Sequence, residues 1–189
     1  MIDYNEITAG RFVVLDGQPY ECLTSQISKK SRQKASNQAK LKNLITGKVV
    51  EKAFHQSDSV EEAEITKKTV AFIYENRGEF WFHDEGDPKS RFALSADLIG
   101  AAGKFLKEKT NIDAVMFGEE IIGIKLPIKM ELEVTEAADA VKGNTAQGAT
   151  KQVTLETGAT ITVPLFVSRG DIVRVNTETG EYVERASKN

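Results

Sequence analysis

With 189 residues, 40% of them hydrophobic and 28% charged, the chain has the composition of a soluble globular protein, and it offers no apolar run long enough to cross a bilayer as a helix. The one cysteine, Cys22, excludes an internal disulfide and fits a reducing compartment, while the opening Met-Ile-Asp-Tyr-Asn-Glu lacks the basic and apolar regions of a secretory signal. A cytoplasmic protein is expected. The net charge of −3 is unevenly spread: the window from Lys29 to Lys52 holds eight of the 25 basic residues (Lys29, Lys30, Arg32, Lys34, Lys40, Lys42, Lys48, Lys52) and one of the 28 acids, Glu51. Such a field argues that one end of the molecule meets polyphosphate while the remainder is held off it or kept soluble.

Short β-type segments punctuated by Gly turns run through almost the whole chain, so the expected class is mostly β. Arg11–Leu15 and Pro19–Leu23 flank Asp16-Gly17 as a hairpin. The basic segment Ser28-Lys29-Lys30-Ser31-Arg32-Gln33-Lys34-Ala35-Ser36-Asn37 follows as a flexible loop. Beyond it Ala39–Leu44 alternates apolar and polar with period two, turns at Thr46-Gly47 and returns through Val49 to Phe54. The acidic stretch Ser59–Ile65 reads as a connector to a second module. There Val70–Tyr74 and Glu79–Phe82 flank Asn76-Arg77-Gly78, and Ser95 caps a helix expected from Ala96 to Lys109. Ala114–Phe117 and Ile121–Leu126, joined by Gly118-Glu119-Glu120, complete that module. A third opens with the alternating Met130–Val134, passes through the Gly- and Thr-rich segment 138–150, and continues as strands at Val153–Leu155, Ile161–Val167 and Ile172–Val175 before a terminal hairpin ending in Glu181–Arg185. Three consecutive small β modules, at residues 1–65, 66–127 and 128–189, fit this punctuation better than one large sandwich. An elongated molecule is expected.

Catalytic chemistry finds no support. His55 and His83 stand alone without partners at metal-ligand spacing, and Cys22 has nothing nearby to lower its pKa, so neither a metal site nor a nucleophile is expected. Gly143–Gly148 mimics a phosphate loop, but Ala149 stands where lysine is required. No catalytic residue, metal or cofactor is assigned, and a binding protein is the better reading. Two features could bind nucleic acid. The aromatic cluster of Phe72, Tyr74, Phe80, Trp81 and Phe82 could stack bases, although core packing across the hairpin is the more ordinary use. The basic loop, with small spacers between its cations, can be a solvated face or a probe that threads to where a folded surface cannot reach.

Over nearly the whole chain the residues resemble bacterial elongation factor P. The opening match runs through Leu15-Asp16-Gly17-Gln18-Pro19-Tyr20, Lys40–Leu44 and Thr46–Phe54. The closing match is more specific, through Val141–Thr145, Ala149–Lys151, Leu155–Gly158, Val163–Phe166 and Thr179–Arg185. The resemblance implies an L-shaped, tRNA-like stack of three barrels, the first SH3-like (KOW-type) and the next two OB folds. It also implies a monomer that binds both ribosomal subunits between the peptidyl and exit sites, contacts the peptidyl tRNA, and relieves stalling at consecutive prolines, with no membrane partner. Residues Lys29, Lys30, Ser31, Arg32, Gln33 and Lys34 would then reach the acceptor end. Relatives present a Pro-Gly-Lys-Gly or Pro-Gly-Arg-Gly tip; counted back without gaps, those positions are Lys30, Ser31, Arg32 and Gln33, so Arg32 falls at the tip, and a shifted register would make it Lys34. Relatives modify the tip residue, but the Pro and both glycines are missing here, so an unmodified Arg32 helped by Lys30 and Lys34 is expected. In the closing module Gly143, Asn144 and Thr145 stand where relatives have Gly-Asp-Thr facing the small subunit, and Tyr182 and Arg185 match residues used around the decoding end. A narrower paralogue of the family and a general single-strand binder remain as alternatives.

Overall fold

The computed structural model describes residues 1–28, 35–137 and 149–187. These are mostly β, as expected, and the strands fall into three antiparallel sheets. The chain forms two compact units, one of Met1–Lys68 with Ala114–Gly123 and the other of Thr69–Asp113 with Ile124–Asn189.

In the first unit, β1 (Ile2–Asp3), β2 (Phe12–Leu15), β3 (Gln18–Ser28), β4 (Ser36–Asn43), β5 (Val49–His55) and β6 (Ser59–Glu62) make a six-stranded sheet in the order β1-β6-β2-β3-β4-β5. Asp16 and Gly17 both take positive φ, 51° and 76°, which is the two-residue turn whose twist suits a hairpin, and Leu15 then pairs with Gln18. The core gathers Ile7, Val13, Cys22, Leu41 and Phe54. Cys22 is fully buried there, and burial followed by the neighbouring Glu21 charge pushes its thiol pKa up, away from reactivity. The acidic segment at 59–65 corrects the expectation of a connector: β6 pairs with both β1 and β2, and buried Val60 and Ala63 hold it down. Its three acids, Glu61, Glu62 and Glu64, are all exposed, which hid a strand behind a polar composition.

The second sheet comprises β7 (Ile65–Asn76), β8 (Glu79–Asp84), β9 (Asp87–Ser95), β10 (Asn111–Phe117) and β11 (Glu120–Lys125), ordered β11-β10-β7-β8-β9. Strand β9 had no counterpart in the sequence reading, because Asp87-Pro88-Lys89-Ser90 looks like a loop; Phe92, stacked 5.9 Å from Phe82, and half-buried Leu94 are its large apolar anchors. The helix expected over 96–109 shrinks. Ser95 does cap it, its Oγ accepting from the Leu98 amide at 3.4 Å, but α1 (Ala96–Ile99) stops where Gly100 takes φ 58° and ψ −144°, and a 3₁₀ turn follows over Gly100–Phe105. A glycine at 103 lets this turn lie on the aromatic cluster: a Cβ there would stand 3.0 Å from Phe80 Cζ and 3.2 Å from Ile99 Cγ2.

The third sheet, β14-β13-β12-β15-β16, is built from β12 (Lys129–Ala137), β13 (Thr150–Leu155), β14 (Thr160–Pro164), β15 (Ile172–Asn176) and β16 (Tyr182–Ser187), with β14 and β16 also in contact. Strict alternation on β12 buries Met130, Leu132 and Val134. The strand expected over Ile161–Val167 ends at Pro164, so Leu165 and Phe166 enter a turn instead of continuing the ladder. Within this second unit the 3₁₀ turn meets the third sheet through Lys107 Nζ to Glu156 (2.9 Å) and Thr157 Oγ1 donating to the Lys104 carbonyl (2.7 Å). Replacing Gly103 with Ala is expected to destabilise this unit by about 1–3 kcal/mol, because Phe80 and Ile99 must give way; urea unfolding followed by the fluorescence of the one tryptophan, Trp81, measures it.

Candidate nucleic-acid interface

The basic loop is carried by a stem that leaves the barrel. Strands β3 and β4 stay paired from Tyr20↔Asn43 out to Ser28↔Ser36, whose hydroxyls lie 3.4 Å apart. Lys29, Lys30, Ser31, Arg32, Gln33 and Lys34 themselves lie outside the described residues; the stem fixes where they begin and end. Leu23 is an extra residue between the pairs Cys22↔Leu41 and Thr24↔Lys40, a bulge of the kind that increases twist and re-aims a hairpin. Past it β3 is mostly exposed, with Ile27 among the exposed apolar residues, while β4 keeps burying every second residue. Its inward row is Asn37, Ala39, Leu41 and Asn43, and its outward row is Gln38, Lys40 and Lys42.

Asn37, fully buried, explains how one side of the stem stays fastened. Its Nδ2 donates to the carbonyls of Tyr4 (2.7 Å) and Ile7 (2.8 Å), tying the stem to the chain's first turn. Asn43 closes the other end: Oδ1 accepts from the amides of Ile45 and Thr46, and Nδ2 donates to Gln18 Oε1 at 2.7 Å. Cations border this frame. Lys40 has only a loose exposed pairing with Glu51 at 3.8 Å, and Lys52 lies 5.6 Å from the Phe54 ring centroid. Sequence reasoning missed Asn37, although the period-two pattern of β4, extended back one step, points it inward.

In the third sheet, Gly143, Asn144 and Thr145 also lie outside the described residues, between the end of β12 and the start of β13. The 165–171 turn packs beside those strand ends: the Leu165 amide donates to the Ala149 carbonyl, and the Gly170 amide donates to the Val134 carbonyl at 2.8 Å. Arg185 comes to this same end. Its Nη1 lies 3.3 Å from Oδ2 of the buried Asp171 and 3.4 Å from the Phe166 carbonyl, and the guanidinium sits over the Phe166 ring. Tyr182 pairs with Val175 further along β16, half-buried, and lines a depression of about 620 Å³ with Thr150, Gln152, Thr160 and Thr162. Phe166 was missed as a site residue because it was read as the continuation of a strand.

The aromatic cluster is chiefly core: Phe72 and Phe82 are buried with ring centroids 5.4 Å apart, and Tyr74 stacks on Trp81 at 6.2 Å. Among the described residues no three His, Cys, Asp or Glu gather as a metal site, and no helix is long and apolar enough to cross a membrane.

Comparison with known proteins adds to this geometry. Residues 3–60 match the elongation factor P (EF-P) KOW-like domain, and residues 130–185 match elongation factor P, C-terminal. Elongation factor P of Helicobacter hepaticus is 38% identical over 184 residues, covering 97% of this chain and 98% of that protein. The chain belongs to the elongation factor P family. Elongation factor P of Acetivibrio thermocellus, 39% identical over 185 residues, covers 98% of this chain and all of its own length (100%). The solved structure of eukaryotic translation initiation factor 5A from Methanococcus jannaschii has a TM-score of 0.52 at 16% identity, over 66% of this chain and 89% of its own, a likeness of fold alone. The elongation factor P family is one of translation elongation factors and not of enzymes.

Loss of the Asn37 amide leaves a buried carbonyl, of Ile7, and a half-buried one, of Tyr4, without this donor. Asn37→Ala is therefore expected to cost about 2 kcal/mol and to speed amide exchange in the β3–β4 stem, whereas Lys40→Ala leaves both nearly unchanged; hydrogen exchange by mass spectrometry reads the difference.

Proposed function

We propose that this protein binds the ribosome between the peptidyl and exit sites, beside the peptidyl tRNA, and stimulates peptide-bond formation at consecutive prolines, acting as a monomer in the cytoplasm. The observation that carries the reading is the long β3–β4 stem, paired out to Ser28↔Ser36, between whose ends the sequence has four cations in six residues, Lys29 to Lys34. Within the reading, residues 1–65, 66–127 and 128–189 act as three modules. Lys29 to Lys34 reach the acceptor end of the peptidyl tRNA, with Arg32 at the tip. Gly143, Asn144 and Thr145, with Tyr182 and Arg185, face the small subunit and tRNA at the decoding end.

The chemistry asked of the protein is positional. Proline is a poor partner in peptide-bond formation, and holding the peptidyl end in an attack-ready geometry restores rate through pre-paid entropy without any group that takes or gives a proton. Cations on such a stem suit this, because they neutralise backbone phosphates from one end of a factor that is acidic elsewhere. Arg32 brings a planar fork that can hold a phosphate or a ribose–phosphate edge at two points, so its guanidinium serves without a modified side chain.

In reconstituted translation of a message encoding a proline run, the wild-type protein is expected to restore full-length product, and Arg32→Ala to lower the rate of that step about tenfold or more. No rescue by the wild type would refute the reading; loss with Lys34→Ala and not with Arg32→Ala would move the tip to Lys34. Intact-mass measurement of protein from its native host is expected to show the unmodified mass.

A further inference from the structure

We infer that Phe166 is a stacking surface for an unpaired RNA base, and that Arg185 is the positioning residue that holds it, in place of a cation spent on a phosphate. The inference rests on the reading above, in which the closing module faces RNA, and it names the residue that meets a base.

Phe166 is 58% exposed although its neighbour Val167 is fully buried. An isolated exposed phenylalanine is ordinary. This one is built into place. Pro164 ends β14, and its carbonyl accepts from the Val167 amide at 3.1 Å, closing the turn that lifts the ring out. The Arg185 guanidinium carbon stands 5.0 Å from the ring centroid, so one side of the ring has a cation against it. Arg185 is in turn held by the Phe166 carbonyl and by Asp171, whose side chain is only 2% exposed and whose Oδ2 also accepts from the Ser168 amide at 2.9 Å. A buried carboxylate needs such partners, and removing its cation would leave a charge uncompensated. The arginine is thus committed to this turn, and more than half of the phenylalanine remains open.

A ring fixed by its own turn and electrostatically backed by a guanidinium suits a flat, weakly hydrated partner. Every base has a π face, and stacking on an aromatic side chain needs one ring and no apolar groove. The flanks are Ser168 and Arg169, both exposed, and Arg169 supplies charge for a phosphate next to the stacked base. A protein helix would need several apolar anchors at helical spacing, and this turn offers one.

Full-length wild type, Phe166→Leu, Phe166→Tyr and Arg185→Lys are compared by equilibrium binding to ribosomes carrying peptidyl tRNA on a proline run, and by ultraviolet crosslinking with mass spectrometry. Phe166→Leu is expected to weaken binding roughly five- to a hundredfold and Phe166→Tyr to stay within about twofold. Arg185→Lys is expected to weaken it nearly as much as Phe166→Leu, since an ammonium keeps the charge but cannot lie flat on the ring while bridging Asp171 and the carbonyl. A nucleotide adduct is expected on the wild-type peptide containing Phe166. Wild-type affinity in Phe166→Leu, with proline rescue by the wild type intact, overturns the stacking role and leaves the proposed function standing. Full affinity in Arg185→Lys overturns the positioning role in favour of a phosphate contact, and an adduct to a ribosomal protein in place of a nucleotide overturns the choice of RNA. Absence of ribosome affinity in the wild type removes both readings. Should Phe166→Leu fail to give native circular dichroism, Arg185→Lys and the adduct decide.

Discussion

One buried side-chain amide fastens the β3–β4 stem to the core of the first unit. Asn37 gives both of its Nδ2 hydrogens to main-chain carbonyls, of Tyr4 and Ile7, inside an otherwise apolar cluster. The β3–β4 stem is bulged at Leu23 and exposed along most of its β3 half, so it has little hydrophobic area with which to hold its direction. A hydrogen-bonded pair in a dry site is directional where packing is not, and breaking it strands two acceptors. The basic segment therefore starts from a defined pair of residues, Ser28 and Ser36.

The same device recurs in the closing sheet. Among the described residues only Asn37, Asn43 and Asp171 are buried polar groups, and each one orders a turn or stem that a candidate site uses. Asn43 shapes the β4–β5 turn, Asn37 anchors the stem, and Asp171 holds the 165–171 turn and Arg185 together. In the middle sheet Asp84 is half-buried with one carboxylate oxygen shielded from solvent, and the aromatic residues are mostly spent on one another. Buried polarity is costly unless satisfied, so its confinement to these places marks where the fold trades stability for geometry.

Much of this was legible from the residues. Turn chemistry located the hairpins at Asp16-Gly17, Thr46-Gly47, Asn76-Arg77-Gly78 and Thr179-Gly180, because positive φ is written in few residue types. Alternation exposed β4 and β12. What stayed hidden has physical causes. Strand β6 has acids on its outward positions and reads as a linker until its pairing with β1 and β2 is seen. The helix after Ser95 had a proper cap and an apolar face, yet Gly100 takes a positive φ that ends it and Gly103 serves a close approach to Phe80 that no local pattern encodes. Arg185 was legible as a residue of interest through the resemblance; its clamp on Phe166 and Asp171 was not, since the three stand 5 to 19 positions apart and meet only through the register of β15 and β16.

A factor that works by position has to hold position at every stage between core and tip, and charge alone does not do that. Lysine and arginine side chains are mobile and screened, so a cation contributes to placement only as far as its backbone is fixed. The two regions of interest meet this requirement differently. On the stem the backbone is pinned by Asn37, while Lys40 on its outward row is only loosely paired with Glu51 at 3.8 Å and stays adaptable. On the 165–171 turn the cation itself is pinned, and what is left outside is an aromatic ring. Under the proposed function a reaching element gains from adaptable charge, whereas a seat near folded RNA gains from a rigid flat surface, so one family scaffold can use both without any group that reacts.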